Sequence, residues 1–360
     1  FSFSIVTYFI SIVAFGFDFP AVKIIAQFPH DLIKKSHTIS CVFTAKIWLE
    51  IVSFISFSIL VFLIPQLRSN WLLLYIIFLQ SFTNIIFPQW YFQGVQRMRY
   101  VTYIQLAFKL ISLPFILFLI EKSDDLILFA IITTFSSIGG GVLALFLLKF
   151  NEKINIKWIP FNQLKKWFKD AFPFFLSSSA GIIKEQSIII IIGAFFGMKD
   201  VAIYDLANKI VGIPRLLFAS INGALFPKIM NNFRNSIVKK VIKYQIYISL
   251  VIIITIVFIG RWVVLFLGGN NLVYAYPISI VLSITILTWI VVGSYISFVF
   301  VPNEKFYYVT KNQIVAVLSF FFYCAIGLFF YNNIIVLAFA LSLSGLTEIV
   351  YCRQIGRAHV

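Results

Sequence analysis

Charge is scarce in this chain: Asp, Glu, Lys and Arg make up 12% of its 360 residues, about half of what a soluble globular protein carries. With 61% hydrophobic residues and a mean hydropathy of +0.98, that scarcity excludes a water-soluble fold. The short apolar-polar alternation of a membrane β-barrel is also missing, since stretches such as Leu126 to Leu148 are apolar on every side; helices are the remaining way to satisfy the backbone in lipid. Cysteine and histidine are few. Cys41, Cys324 and Cys352 form no CxxC pair, and His30, His37 and His359 lie near no carboxylate cluster, so neither a disulfide framework, a metal site nor a cofactor is expected. No GxxxxGK[ST], HExxH or GxSxG motif occurs, and no loop is long enough for a soluble catalytic domain, so the chain is not expected to be an enzyme. The excess of 29 basic over 13 acidic residues lacks the aromatic-rich polar platform of a nucleic-acid binder.

What the chain does contain is a series of apolar runs long enough to span the ~30 Å hydrocarbon core. Eleven are expected, at about 1–22, 39–64, 71–92, 101–120, 126–148, 171–196, 201–226, 243–267, 277–300, 312–330 and 333–351, which makes the protein an all-α polytopic membrane protein. Eleven is odd, and the chain opens at Phe1 inside an apolar run, so a twelfth, first helix is expected to be missing. The last six residues, Ile355 to Val360 (IGRAHV), read like one frame of a sequencing adapter and are expected to be a non-native tail. The loops alternate in charge. One set carries Lys23, Lys34, Lys35, Arg97, Arg99, Lys149, Lys153, Lys157, Lys165, Lys166, Lys169, Lys228, Arg234, Lys239, Lys240, Lys243, Lys305, Lys311 and Arg353; the other carries only Arg68, Lys122, Lys199 and Arg261. The first set is therefore expected in the cytoplasm and the acidic turn Glu121 to Asp125 outside.

The longest polar stretch, Lys149 to Asp170, divides the chain. It predicts an N-terminal lobe over 1–148, a basic cytoplasmic linker over 149–170 with an interfacial helix at Phe161–Phe168, and a C-terminal lobe over 171–354. A short repeat supports two related halves: Gly16-Phe-Asp-Phe-Pro20 with Lys23, and Gly223-Ala-Leu-Phe-Pro227 with Lys228, as in the internally duplicated transporters. Prolines 88, 114, 173 and 214 and the triplet Gly139-Gly-Gly141 are expected to interrupt helices, which suits a moving carrier. The 43 Phe and 16 Tyr fit either lipid-facing bulk or a sugar-stacking surface.

Charges within the apolar runs are the candidate functional residues, because each costs ~2.5–3.5 kcal/mol to insert at the centre of a membrane helix. Lys184, Glu185 and Gln186 lie midway between Pro173 and Gly197. Successive helical residues point about 100° apart, so the three are expected to line a cavity. Lys46 and Glu50, and Asp205 and Lys209, stand four apart; each pair is either self-neutralising or cavity-lining. Arg215 follows Pro214, and Lys109, one turn beyond Gln105, has no acid on its own helix, which suits contact with an anionic ligand.

Several of these stretches together resemble a family. Tyr8 to Ala26 with GFDFPAVKIIA, Phe87-Pro-Gln-Trp-Tyr-Phe-Gln-Gly-Val-Gln-Arg-Met-Arg-Tyr100, Pro173-Phe-Phe-Leu176 and Tyr204-Asp-Leu-Ala-Asn-Lys-Ile210 are similar to the Wzx-type polysaccharide repeat-unit flippases of the multidrug/oligosaccharidyl-lipid/polysaccharide exporter superfamily. The resemblance implies twelve helices in two six-helix lobes around a central cavity. It also implies a polyprenyl-diphosphate-linked oligosaccharide as substrate, moved by alternating access from the cytoplasmic to the outer leaflet of the bacterial inner membrane for O-antigen or capsule synthesis. A polysaccharide polymerase, its chain-length machinery and a coupling ion, H⁺ or Na⁺, are the partners implied. A multidrug or lipid II exporter of the same superfamily, a membrane-embedded polysaccharide polymerase and a structural scaffold stay open as alternatives.

Overall fold

The computed structural model describes residues 2–122, 125–231, 235–300 and 305–357, with the backbone alone at 223–224, 226–231, 235, 306 and 356–357. The second copy of the short repeat at Gly223–Lys228 (apart from Leu225), the loop cation Arg234, Asp124 of the acidic turn and the tail from Gly356 onward therefore fall outside the described side chains. Each of the eleven apolar runs coincides with helix. The helices are α1 (Ser2–Ala14), α2 (Asp18–Gln27), α3 (Leu32–Leu63), α4 (Trp71–Gly94), α5 (Met98–Leu119), α6 (Leu126–Phe150), α7 (Phe161–Phe195), α8 (Met198–Asn231), α9 (Asn235–Gly268), α10 (Ala275–Tyr295), α11 (Phe306–Phe330) and α12 (Ile335–Arg357).

Among the described residues, nine helices are long and apolar enough to cross a membrane. A tenth span results if α1 and α2, bent by 40° at their junction, are taken together. The expected run at 201–226 lies in α8, which is long enough at 34 residues but carries Lys199, Asp200, Asp205, Lys209 and Arg215.

Helix ends differ from the apolar runs, and for a common reason. A membrane helix does not stop where hydrophobicity does, because its backbone bonds persist while the side chains turn polar. Asp31 caps α3 by accepting from the Lys34 N–H at 3.0 Å, so that helix starts at Leu32, seven residues before the run. Similarly, α7 starts at Phe161, inside the expected linker, and continues through Asp170 to Phe195. The remainder of the linker is seated on α3: Lys157 N–H donates to Ser40 Oγ at 2.9 Å and Ile159 N–H to Thr44 Oγ1 at 3.3 Å, with Ile154 buried.

The expected interruptions are mostly absent. Pro114, Pro173 and Pro214 lie within continuous helix, and α6 runs unbroken through Gly139–Gly141. That triplet is instead a packing surface, where a Cβ on Gly139 would fall 2.5 Å from the Phe108 ring. Helix α4 is the exception: a 3₁₀ turn at Leu79–Phe82 and the non-helical Phe87-Pro88 divide it. The bend between α1 and α2 rests on Phe15 (φ 44°) and Gly16 (φ 72°). A Cβ on Gly16 would lie 2.8 Å from Phe174 and Phe175 atoms, so both the conformation and the close approach require glycine there.

The chain forms two compact units, Ser2–Ser179 and Ala180 onward, with the division inside α7. The N-terminal unit is built around Phe17, Val42, Trp90, Tyr91, Ala144 and Leu148. In the C-terminal unit α10 and α12 are central, with 67% and 61% of their apolar windows buried against 17% for α9 and α11. Leu282, Ile286, Phe320 and Leu337 fill that core.

Candidate functional site

Each unit encloses charged side chains within its apolar core. In the N-terminal unit, Lys46 and Glu50 of α3 are 3% and 4% exposed. They do not pair with each other. Lys46 Nζ donates to Asp18 Oδ1 of α2 at 2.9 Å and to the Asn84 carbonyl at 3.1 Å, whereas Glu50 Oε1 lies 2.5 Å from Ser81 Oγ. Glycine at position 16 allows the chain to turn so that Asp18 reaches α3, and this competing carboxylate is why the four-residue spacing goes unused. Lys109 on α5 is exposed and has no ion-pair partner among the described residues.

In the C-terminal unit Lys184 is joined to Glu348 of α12, Nζ to Oε1 at 2.5 Å, with side chains 12% and 7% exposed. Asn312 Nδ2 of α11 donates to Glu348 Oε2 at 3.4 Å, and Cys352 Sγ to Asn312 Oδ1 at 3.4 Å. Glu185, beside Lys184 in sequence, points elsewhere: it is exposed and within electrostatic reach of Arg215, Tyr204 and Glu348. Gln186 is half-buried with its Oε1 unpartnered. The Arg215 guanidinium bonds through Nη2 to Thr285 Oγ1 of α10, while its Nε is buried with no partner. Asp205 and Lys209 do form the pair their spacing allows, at 2.7 Å, but on an exposed face. A second buried network ties Ser294 Oγ to Gln245 Oε1 and Gln245 Nε2 to Asn222 Oδ1, each at 2.6 Å.

The structure thus brings Lys184, Glu185 and Arg215 into one electrostatic neighbourhood, leaves Asp205–Lys209 outside the buried core, and adds Glu348, Asn312, Thr285, Asp18 and Ser81. Glu348 could have been found from sequence. Neither Glu348 nor Lys184 has an opposite charge three or four positions away, and two such solitary charges in apolar helices are each other's natural partner. Ser81, Thr285 and Asn312 carry no such signal, since uncharged polar residues are common in membrane helices. At the end of α4, Tyr91 Oη donates to Glu152 Oε2 at 2.9 Å and Arg97 pairs with the same carboxylate. The Phe87–Tyr100 stretch is therefore a structural corner: Gln96 takes φ 58° there, and Gly94 packs on Ile25.

Helices of this length and apolarity, enclosing ion pairs and a guanidinium, define a multi-pass membrane protein, and its fold is that of the MATE transporters. A multidrug resistance MATE family transporter of the MOP superfamily, in its inward-facing conformation, superposes with a TM-score of 0.71 at 12% identity, over 98% of this chain and 88% of that one. A MOP superfamily transporter from Pyrococcus furiosus, described as having a binding pocket of reverse polarity, gives 0.69 at 12% identity over 99% and 86%. Residues 1–233 match the family model described as "Polysaccharide biosynthesis protein", and the chain belongs to that family. Two relatives carry the name "Putative O-antigen transporter": one from Escherichia coli (strain K12), 24% identical over 65% of this chain and 57% of its own length, and one from Shigella dysenteriae, 23% identical over 41% and 37%. The chain spans somewhat over half the length of the first of these and about a third of the second. The resemblance drawn from the sequence motifs agrees with both this family and this fold.

Proposed function

We propose that this protein is a flippase that carries a polyprenyl-diphosphate-linked oligosaccharide repeat unit from the cytoplasmic to the outer leaflet of the bacterial inner membrane, by alternating access. Family membership over residues 1–233 supports the substrate class. The observation that carries the chemistry is Arg215 of α8: a guanidinium bonded to a neutral hydroxyl and holding a buried, unpartnered Nε–H. A buried donor left unmade costs ~1–3 kcal/mol, more when the group is charged. An anionic group such as a diphosphate or acidic sugar would recover that energy through a charge-assisted hydrogen bond. Lys184 and Lys46 are less suited, because Glu348 and Asp18 already pair with them; Lys109 has no ion-pair partner among the described residues and is open to an anion. The 19 to 4 bias of the loops supports a cytoplasmic position for Lys149–Asp170, and the prenyl tail can stay in lipid throughout. A polymerase and its chain-length machinery are the partners proposed downstream.

The MATE-like fold favours a second reading, export of drugs or of lipid II. Expressing the gene encoding this chain in a flippase-deficient strain separates the readings. Restored surface polysaccharide supports the proposal. Resistance to cationic drugs without restored polysaccharide would replace it with the exporter reading.

A further inference from the structure

We propose that Glu50 is a proton-binding site: it holds a proton in the state described here, donates it to Ser81 Oγ, and on losing it takes Lys46 away from Asp18. The hydrogen count leads to this assignment. Ser81 Oγ lies 2.5 Å from Glu50 Oε1 and 2.7 Å from the Phe78 carbonyl oxygen, and a serine hydroxyl has one hydrogen to give. Were Glu50 ionised, both neighbours of that hydroxyl would be acceptors and one contact would lack a hydrogen. With the proton on Glu50, its O–H donates to Ser81 and Ser81 donates to Phe78, so each contact has one donor and one acceptor. The other oxygen agrees. Glu50 Oε2 is buried with no hydrogen-bond partner, a position a neutral carbonyl oxygen tolerates far better than half of a carboxylate.

The nearest cation on its own helix is Lys46, one turn away, with two of its three N–H groups bonded to Asp18 and Asn84. On the elements packed against α3, the charged or titratable groups include Asp18 and Lys23 of α2, Tyr8 of α1, Tyr75 and Tyr91 of α4, Arg68 of the turn Pro65–Arg68, and Glu152, Lys153 and Lys157 of the linker. Among the described residues none of these forms an ion pair with Glu50. Lys46 nevertheless sits at the four-residue spacing from which a lysine reaches a carboxylate on the same helix. It therefore has two alternative anionic partners: Asp18, which ties α3 to α2, and Glu50, which becomes available only when its proton leaves. A proton on Glu50 is thus linked to the α2–α3 contact, and it is balanced simply: H⁺ leaves Glu50 to water, and one ion pair is exchanged for another. If the flippase reading also holds, this gives it a proton-sensitive element, but the binding site stands without that reading.

The test is infrared difference spectroscopy of the full chain in lipid nanodiscs, comparing wild type with Glu50→Gln across a pH titration. At neutral pH the wild type should show the carbonyl band of a protonated carboxyl group, missing from Glu50→Gln. Asp18→Asn frees Lys46 to stabilise an ionised Glu50, so the pH at which the band disappears should fall. Lys46→Gln should raise it. Absence of the band at neutral pH overturns proton binding, and a band whose midpoint is the same in wild type and Asp18→Asn overturns the partner exchange. A folded Glu50→Gln protein is expected because its amide can donate to Ser81 as the acid does. None of these readouts requires transport, so failure of the flippase reading would leave them intact.

Discussion

Removing Glu348 should cost the protein more than removing its partner Lys184, and the geometry indicates how much more. In Glu348→Ala the Lys184 ammonium, 12% exposed and bonded at 2.5 Å, is left in the C-terminal core. Lys184 stands eleven residues before the end of α7 at Phe195, about 16 Å at 1.5 Å per residue. That is well beyond the reach of a four-carbon stem, so the group cannot escape to the interface by snorkelling. Glu185 cannot replace Glu348, since it points about 100° away on the helix. Stranding one member of a buried pair costs ~3–5 kcal/mol, against ~0.6 kcal/mol for an average polar contact between membrane helices; with no escape route the larger range applies. Lys184→Ala should be milder, about 1–3 kcal/mol, because Glu348 keeps the Asn312 donor and can take up a proton. The double variant Lys184→Ala/Glu348→Ala should recover most of the loss seen in Glu348→Ala, since no charge is left buried. Heating detergent-purified protein and measuring the fraction that stays monodisperse by size-exclusion chromatography ranks the four proteins. If Glu348→Ala withstands heat as well as wild type, or if Lys184→Ala/Glu348→Ala is no more stable than Glu348→Ala, the cross-helix pair is not the stabilising contact.

Arg215→Ala should abolish or strongly reduce surface polysaccharide with membrane abundance near wild type, and Arg215→Lys should restore only part of it because an ammonium lacks the guanidinium's fixed fork of donors; equal export by all three proteins, scored by polysaccharide blotting, would remove Arg215 from the substrate site. Gly94→Ala places a Cβ 2.7 Å from Ile25 Cγ2 and should destabilise by about 1–3 kcal/mol through overpacking, whereas Gly181→Ala, whose Cβ would meet nothing closer than 3.6 Å, should be tolerated; comparing their thermal retention checks both. A reporter active only outside the cytoplasm should be active when fused at Asn332 and silent at Trp158, and activity at Trp158 would reverse the orientation read from the loop charges.

The helices themselves were legible in the sequence because a run of about 20 apolar residues has few other fates. Their ends were not, since Leu32–Thr38 is polar enough to read as loop and Phe161–Phe168 as a separate interfacial helix, yet each continues into the helix it precedes. The site was half legible for a related reason. Composition identifies which charges lie in apolar surroundings, and Lys46, Glu50, Lys184 and Arg215 all proved buried or partly so; it does not identify which element arrives opposite each of them. Lys46–Glu50 and Asp205–Lys209 offer identical spacing, and only the second pair forms. The difference lies in what competes. At Lys46, the positive φ of Gly16 carries Asp18 in from another helix, and the contact made across helices displaces the one available along a helix. At Lys209, 71% exposed, no described acid from another helix comes within ion-pair distance, and the local pair survives. Spacing along a helix therefore predicts pairing where the face is open, and pairing between helices takes over as burial increases. By that rule the solitary, largely buried charges Lys184 and Glu348 meet across helices of the C-terminal unit, whereas Lys109, solitary but exposed, has no ion-pair partner among the described residues.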